Sequence, residues 1–151
     1  MGAARAADSG SVSPTPLPAT LVAGLRREVG LLRRAERRRR FPLGVHVGRP
    51  GGPRTSAQVP WPVPDLYDAG LRLDLLDALL SGGEQPADSF SVWLNRPGSV
   101  ERHDLDTRWW SSAMHACSAR GVTPDGFHVV TRHGWLDLAT GATRSWKRLR
   151  L

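Results

Sequence analysis

Proline and glycine crowd one stretch of this chain, between two segments whose apolar residues recur at helical spacing. Residues 42–64 contain six prolines and four glycines. Proline has no backbone N–H to donate, and both residue types interrupt helices and strands. The density predicts a linker over residues 42–63, with extended polyproline-like stretches. A competing pattern runs from Leu43 to Val47, which could pair as a short strand, although the glycines there would weaken it.

Charge is divided at nearly the same place. Residues 1–54 hold eleven arginines and three acidic residues, a formal +8, whereas residues 55–151 hold ten basic and eleven acidic side chains, a formal −1. The net charge of +7 therefore belongs to the front third of the chain. Its peak consists of Arg33, Arg34, Arg37, Arg38, Arg39 and Arg40. These like charges repel one another, and a polyanion or an acidic protein face would relieve the repulsion.

The front third divides into a tail and a helix. Residues 1–20 are small, polar and proline-containing, with too little apolar surface to offset the entropy of ordering them, so we expect a disordered tail. Over residues 21–41, Val22, Leu25, Val29 and Leu32 recur every three or four positions. This spacing predicts an amphipathic helix with a basic outer side, ended by the Phe41-Pro42 pair.

The single cysteine, Cys117, excludes an internal disulfide and a cysteine-rich zinc site. No window approaches the ~20 uninterrupted apolar residues of a membrane span, and the start of the chain lacks the apolar stretch of a signal peptide. We therefore expect a cytoplasmic protein without a cofactor. Cys117 falls on an apolar helical stripe and is expected to be buried.

Residues 64–151 alternate helical and strand patterns and predict one globular domain. The helical patterns run over 65–82 and 107–120, the second with Trp110 on its apolar stripe. Strand patterns run over 89–94, 100–105, 127–132, 135–138 and 143–149. The fold class predicted is α+β, with two helices packed on a short, mainly antiparallel sheet that ends in a β-meander.

The last strand carries a second basic group. Alternation in a strand places Arg144, Trp146, Arg148 and Arg150 on one side, where guanidinium groups and an indole could stack on bases. Together with the six arginines of the helix, these are the predicted binding residues. They predict a small basic binding or adaptor protein for an anionic macromolecule, nucleic acid first and acidic protein second. A solvated helix end and a charged edge strand explain the same residues without a partner, and a membrane-surface helix would carry Trp or Phe among its apolar residues.

One concentration of residues suits catalysis. It consists of Arg96, Glu101, His103, Asp104 and Asp106. His103 beside Asp104 could act as a general base oriented by a carboxylate, which gives an alternative function, a small hydrolase or nuclease-like enzyme for an anionic substrate. Helix capping alone explains Asp104 and Asp106.

Two arginines and two histidines have simpler interpretations. Arg96 and Arg132 each precede a turn glycine just after a strand, where an anion could be held with loop amides. His128 and His133 are five residues apart and would lie on opposite faces of a regular strand. The sequence therefore predicts no metal site.

Overall fold

The structure, a computed structural model, describes residues 16–82 and 89–147. In chain order its elements are α1 (Ala19–Ala35), β1 (Leu43–Gly48), β2 (Arg54–Val59), α2 (Ala69–Ser81), β3 (Ser91–Asn95), α3 (Asp104–Ala119), β4 (Phe127–Val130), β5 (Gly134–Asp137) and β6 (Thr143–Ser145). The strands form one sheet in the order β2-β1-β3-β4-β5-β6, in which only β3 and β4 run parallel. The predicted α+β class, mainly antiparallel sheet and final meander are confirmed.

The sheet carries a hydrophobic core on each face. On one face, Val45, Leu94 and Phe127 pack with Leu76 of α2 and Trp109 of α3. On the other face, residues of α1 pack against side chains of the central strands; these are Leu25, Val29, Leu32, Trp93, Val130 and Trp135. Alternate strand residues point to opposite faces, so the central strands are covered on both sides. The result is three layers, with α1 alone on its side of the sheet.

The prediction of a linker over 42–63 is wrong, because β1 and β2 form a hairpin there and β1 lies inside the sheet. The prolines fall beside the strands: Pro42 precedes β1, Pro50 and Pro53 lie in the turn, and Pro60 follows β2. None of them is therefore required to donate a ladder hydrogen bond. Gly48 has a φ of 150°, and a Cβ there would lie 2.3 Å from the carbonyl oxygen of Pro53. The glycine permits a close approach of the chain at the end of β1.

The basic helix differs from prediction in its length and in its surroundings. It spans Ala19–Ala35, where the spacing predicts 21–41, and Glu36 is already extended. Four consecutive arginines follow, and their mutual repulsion disfavours further turns. A linker after the helix would have kept it separate from the globular domain. In the structure the apolar stripe of the helix is buried against β4 and β5. Gly24 permits close packing, since a Cβ there would lie 2.2 Å from the oxygen of Pro50.

Three other expectations have mixed outcomes. The tail predicted over 1–20 is wrong for its last residues, because Leu17 packs on the α1 core and the helix begins at Ala19; residues 1–15 lie outside the described residues. Residues 100–105 form a turn and the start of α3 where the pattern predicts a strand. Burial of Cys117 is confirmed, but Trp109 is the fully buried tryptophan of α3 and Trp110 is half-buried.

Candidate functional site

The structure brings the two predicted basic groups together. Arg33, near the end of α1, donates from Nε to the carbonyl oxygen of Arg132 at 2.5 Å. Its Nη2 donates to the carbonyl oxygens of Trp146 and Lys147 at 3.1 and 3.3 Å. Segments separated by about a hundred positions in the chain are therefore joined by one side chain. We call this region the assembled basic surface and define it as Arg33, Arg34, Arg37, Arg38, Arg39, Arg40, Arg132, Arg144 and Lys147.

Most of the assembled basic surface is open to solvent. Exposed are Arg34, Arg37, Arg38, Arg39, Arg40, Arg144 and Lys147, while Arg33 and Arg132 are half-buried. Ion pairs within residues 16–82 and 89–147 join Glu28 to Arg54, Asp106 to Arg96, Asp77 to Arg120 and Asp137 to His128. None of these pairs involves the surface. Within the described residues no ion pair therefore joins a carboxylate to this surface.

Trp146 is placed differently from the expected exposed aromatic. Its ring is half-buried and packs on the α1 core, with the guanidinium carbons of Arg26 and Arg144 lying 5.8 and 5.9 Å from the ring centroid. Arg144 pairs with Trp135 in the ladder, so it points to the face that α1 covers. The indole therefore holds the C-terminal segment against α1, while Arg26 and Arg144 remain exposed to solvent. Arg148 and Arg150 lie outside the described residues.

Arg132 keeps a buried donor without an acceptor. Its Nε atom is shielded from solvent and makes no hydrogen bond to the described part of the chain. The residue lies in the turn between β4 and β5, and its own carbonyl oxygen accepts from Arg33. An unsatisfied buried N–H costs on the order of 1–3 kcal/mol.

The structure does not assemble the alternative catalytic group. Arg96 is fully buried and paired with Asp106, whereas Glu101 and Asp104 are exposed. The imidazole of His103 is half-buried, and its Nε2 lies 3.4 Å from the Ser99 hydroxyl. No carboxylate of the described residues hydrogen-bonds that ring. His103 instead is the N-cap residue just before α3, where its backbone N–H donates to Asp106 at 2.9 Å.

A different set of polar residues meets in the middle of the sheet. The hydroxyl of Ser91 on β3 lies 3.1 Å from Nε2 of His128 on β4, and Nδ1 of His128 lies 2.9 Å from Oδ1 of Asp137 on β5. The three residues are 1%, 0% and 2% exposed. The ladder pairs His128 directly with Asp137. All three point to the α1 face, since they alternate in phase with Trp93, Val130 and Trp135.

The outer end of this chain of contacts is fixed by a turn. The other carboxylate oxygen of Asp137 accepts from the backbone N–H and the hydroxyl of Thr140, at 3.0 and 2.6 Å. Burial by itself raises the pKa of Asp137, but hydrogen bonding to His128 and Thr140 outweighs that effect and holds the pKa below its usual value. Gly126 leaves room for the imidazole, because a Cβ there would lie 2.7 Å from its Cε1.

Ser91 also lines a cavity of about 670 Å³ between the start of α1 and the sheet. Other lining residues are Leu17, Leu21, Arg49, Pro50 and Phe90. Sequence reasoning missed Ser91 and Asp137 because they belong to no local motif. The sequence does offer one signal. His128 lies within the apolar run Phe127–Val130, and Asp137 lies between Leu136 and Leu138. Because a buried polar side chain requires a partner, these two positions predict a polar contact inside the sheet.

A second polar cluster lies under α1. Both carboxylate oxygens of buried Glu28 accept from Arg54, and one also accepts from the backbone N–H of Gly51 at 2.6 Å. His46 stacks on Trp93 with ring centroids 5.1 Å apart. Burial first, and then the positive charge of Arg54, lower the pKa of His46 to about 3. Its neutral ring borders a cavity of about 170 Å³, where its Nε2 and Oδ1 of Asn95 lack described hydrogen-bond partners.

No protein-family model, curated protein or solved structure matches this chain. Among the helices of residues 16–82 and 89–147, none has the length and apolar character needed to cross a bilayer. Within the same residues, no three His, Cys, Asp or Glu side chains are grouped to hold a metal ion. The function of the chain must therefore be inferred from the assembled basic surface and the polar residues of the sheet.

Proposed function

We propose that this protein is a cytoplasmic binding or adaptor protein that engages nucleic acid through the assembled basic surface. The observation that carries the proposal is the contact of Arg33 with the carbonyls of Arg132, Trp146 and Lys147. This contact makes one continuous cationic surface from two stretches that are distant in the chain. Phosphate groups along a nucleic-acid strand are the matching repeated anions.

The assembled basic surface is better suited to binding the sugar-phosphate backbone of a nucleic acid than to binding its bases. The arginines after α1 are exposed and unpaired with described carboxylates, and guanidinium groups bind phosphate with two N–H donors. Trp146 is half-buried beneath Arg26 and Arg144, so its ring offers little face for base stacking. We therefore expect weak sequence preference and strong salt dependence.

The test measures the affinity of the full chain for a labelled DNA duplex and an RNA hairpin by fluorescence anisotropy, over a series of salt concentrations. If six or more phosphates are contacted, the affinity should fall on the order of 10³-fold between about 50 and 200 mM salt. Arg37→Gln, Arg38→Gln and Arg39→Gln combined should lower the affinity and reduce the steepness of the salt dependence, by about one unit of slope for each lost phosphate contact.

A matched control separates this surface from net charge. Arg27→Gln, Arg49→Gln and Arg108→Gln remove the same charge from exposed positions outside the surface and should weaken binding much less. Equal losses in the two triple variants, or no binding by the wild-type chain at about 20 mM salt, would reject the proposal. Binding of polyglutamate as tight as binding of DNA would also reject nucleic acid and identify an acidic protein as the partner.

A further inference from the structure

We propose that Ser91, His128 and Asp137 form a hydrolytic site for carboxylic esters, in which Ser91 is the nucleophile. The site is separate from the assembled basic surface and does not depend on the proposed binding function. Its three side chains come from neighbouring strands β3, β4 and β5. Their order is that of a nucleophile, a general base and a positioning carboxylate.

The distances fit these roles. The Ser91 hydroxyl and Nε2 of His128 are 3.1 Å apart, which is within reach for transfer of the serine proton. Nδ1 of His128 lies 2.9 Å from Oδ1 of Asp137 without the alignment of a hydrogen bond, and the adjacent carboxylate favours the tautomer with its proton on Nδ1, which leaves the Nε2 lone pair facing the hydroxyl. Asp137 is in turn fixed by two hydrogen bonds from Thr140. Burial of all three residues strengthens these interactions by excluding water.

Substrate would enter through the cavity that Ser91 lines. Its volume of about 670 Å³ lies in the range of pockets for small organic molecules. The walls are mainly apolar, with Leu17, Leu21, Pro50 and Phe90, and Arg49 and Asp125 are the charged residues among them. This lining fits an ester with a short apolar acyl group. The first turn of α1, which contributes Leu21, carries backbone N–H groups without intrahelical acceptors, and these favour developing negative charge.

The reaction balances as an ester hydrolysis with water as the co-reactant. Oγ of Ser91 bonds to the carbonyl carbon while its proton passes to Nε2 of His128. The bond from that carbon to the alkoxy oxygen breaks, and the leaving alcohol takes the proton from His128. Water then adds to the acyl-serine with its proton passing to His128. The carboxylic acid leaves and the proton returns to Ser91. Asp137 is a positioning residue throughout, because it contacts only the imidazole and Thr140.

The first experiment labels the folded wild-type chain with diisopropyl fluorophosphate and maps the product by mass spectrometry. Attack of Oγ on phosphorus expels fluoride, and the proton goes to His128, as in the first hydrolytic step. A diisopropylphosphoryl group on Ser91 is expected. No adduct on Ser91 after prolonged incubation would overturn the proposal, and this result needs no variant.

Three variants test activation of the serine. Ser91→Ala should lose the adduct, and His128→Gln should slow labelling on the order of 10³-fold or more. Ser118→Ala is the matched control: Ser118 is exposed on α3 and lies outside the cavity, so its loss should leave labelling of Ser91 unchanged. Labelling of Ser91 at the wild-type rate in His128→Gln would show that the serine is not activated and would reject the site.

Steady-state kinetics with p-nitrophenyl acetate test the role of Asp137. Asp137→Asn should lower kcat and leave KM unchanged, because the carboxylate orients the base without contacting the substrate. A purely structural role would instead lower the fraction of chain that can be labelled and leave kcat per labelled site unchanged. If the wild-type chain neither hydrolyses p-nitrophenyl acetate nor forms the diisopropylphosphoryl adduct on Ser91, the proposal is wrong. The three residues are then only a buried polar cluster of the sheet.

Discussion

The guanidinium group of Arg96 contacts both carboxylate oxygens of Asp106, at 2.7 and 2.8 Å, and neither side chain is exposed to solvent. Its remaining N–H groups donate to the carbonyl oxygens of Pro97, Ser99 and Glu101. A guanidinium has five N–H donors, so every donor of Arg96 is used within the protein. Arg96 therefore holds the loop after β3 against the start of α3, and it has no N–H donor left to bind an anion.

Breaking this pair should destabilise the protein strongly. Arg96→Met leaves the Asp106 carboxylate buried without its cation, and we expect a loss of about 3–5 kcal/mol in the free energy of unfolding, measured by urea titration. The double variant Arg96→Met/Asp106→Leu removes both charges and should recover part of that loss. A double variant less stable than Arg96→Met would contradict this explanation.

Removing Arg33 should release the C-terminal segment from α1. Arg33→Ala deletes the donors to Arg132, Trp146 and Lys147, and hydrogen bonds from charged groups contribute about 1.5–3 kcal/mol each at most. We expect faster amide exchange over residues 143–147, measured by mass spectrometry, with little change in the rest of the sheet. Arg34→Ala, which removes an exposed neighbour, is the control. Unchanged exchange over 143–147 in Arg33→Ala would refute the role of this contact.

Stability should rise with pH between about pH 3 and pH 6.5 because of His46. The folded state lowers the pKa of His46 to about 3 from an ordinary value of 6.5, so in this interval the unfolded chain binds the extra proton. The free energy of unfolding then increases with pH, by up to about 1.4 kcal/mol per unit from this group. Urea titrations at several pH values should show a shallower slope for His46→Gln. The lowered pKa of Asp137 adds stability of the same sign, which is lost at more acidic pH, as that carboxylate protonates.

Two helical glycines should respond to alanine with opposite signs. In exposed helices Gly→Ala stabilises by about 0.5–1 kcal/mol. Gly70 of α2 is exposed, and a Cβ added there would lie 3.4 Å from its nearest neighbour, so Gly70→Ala should raise the melting temperature. Gly24→Ala should lower it, because its methyl group would lie 2.2 Å from the backbone oxygen of Pro50. Stabilisation by Gly24→Ala would show that α1 does not pack closely on the turn after β1.

Sequence periodicity predicts most helices and strands of the fold, but it does not predict which elements pack against one another. Leu25, Val29 and Leu32 indicate an amphipathic helix, but spacing alone does not say which surface covers the stripe. Gly24, which weakens an isolated helix, marks the place where backbone approaches backbone. The prolines of 42–64 suggest a linker, although in the structure they fall beside β1 and β2, where no ladder N–H is needed.

For the candidate sites, too, the sequence predicts some features and not others. The charge of the assembled basic surface is visible in the arginine run and in Arg144, since charge is a property of composition. The joining of its two parts by Arg33 is not visible in the sequence, and neither is the meeting of Ser91 with His128 and Asp137. Those contacts depend on which strands are neighbours in the sheet, and the order β3-β4-β5 arises from long-range pairing.

By itself, then, the amino-acid sequence determined the α+β class, the helical stripes, the final meander and the excess of positive charge at the front of the chain. Each of these follows from residues close together along the chain, through periodicity, turn chemistry and local charge. Only the tertiary structure decided that α1 covers the sheet, that Arg96 is an internal tie and that a serine, a histidine and an aspartate meet. These outcomes require the burial of groups distant in sequence, and each buried polar group takes the partner that the fold brings to it.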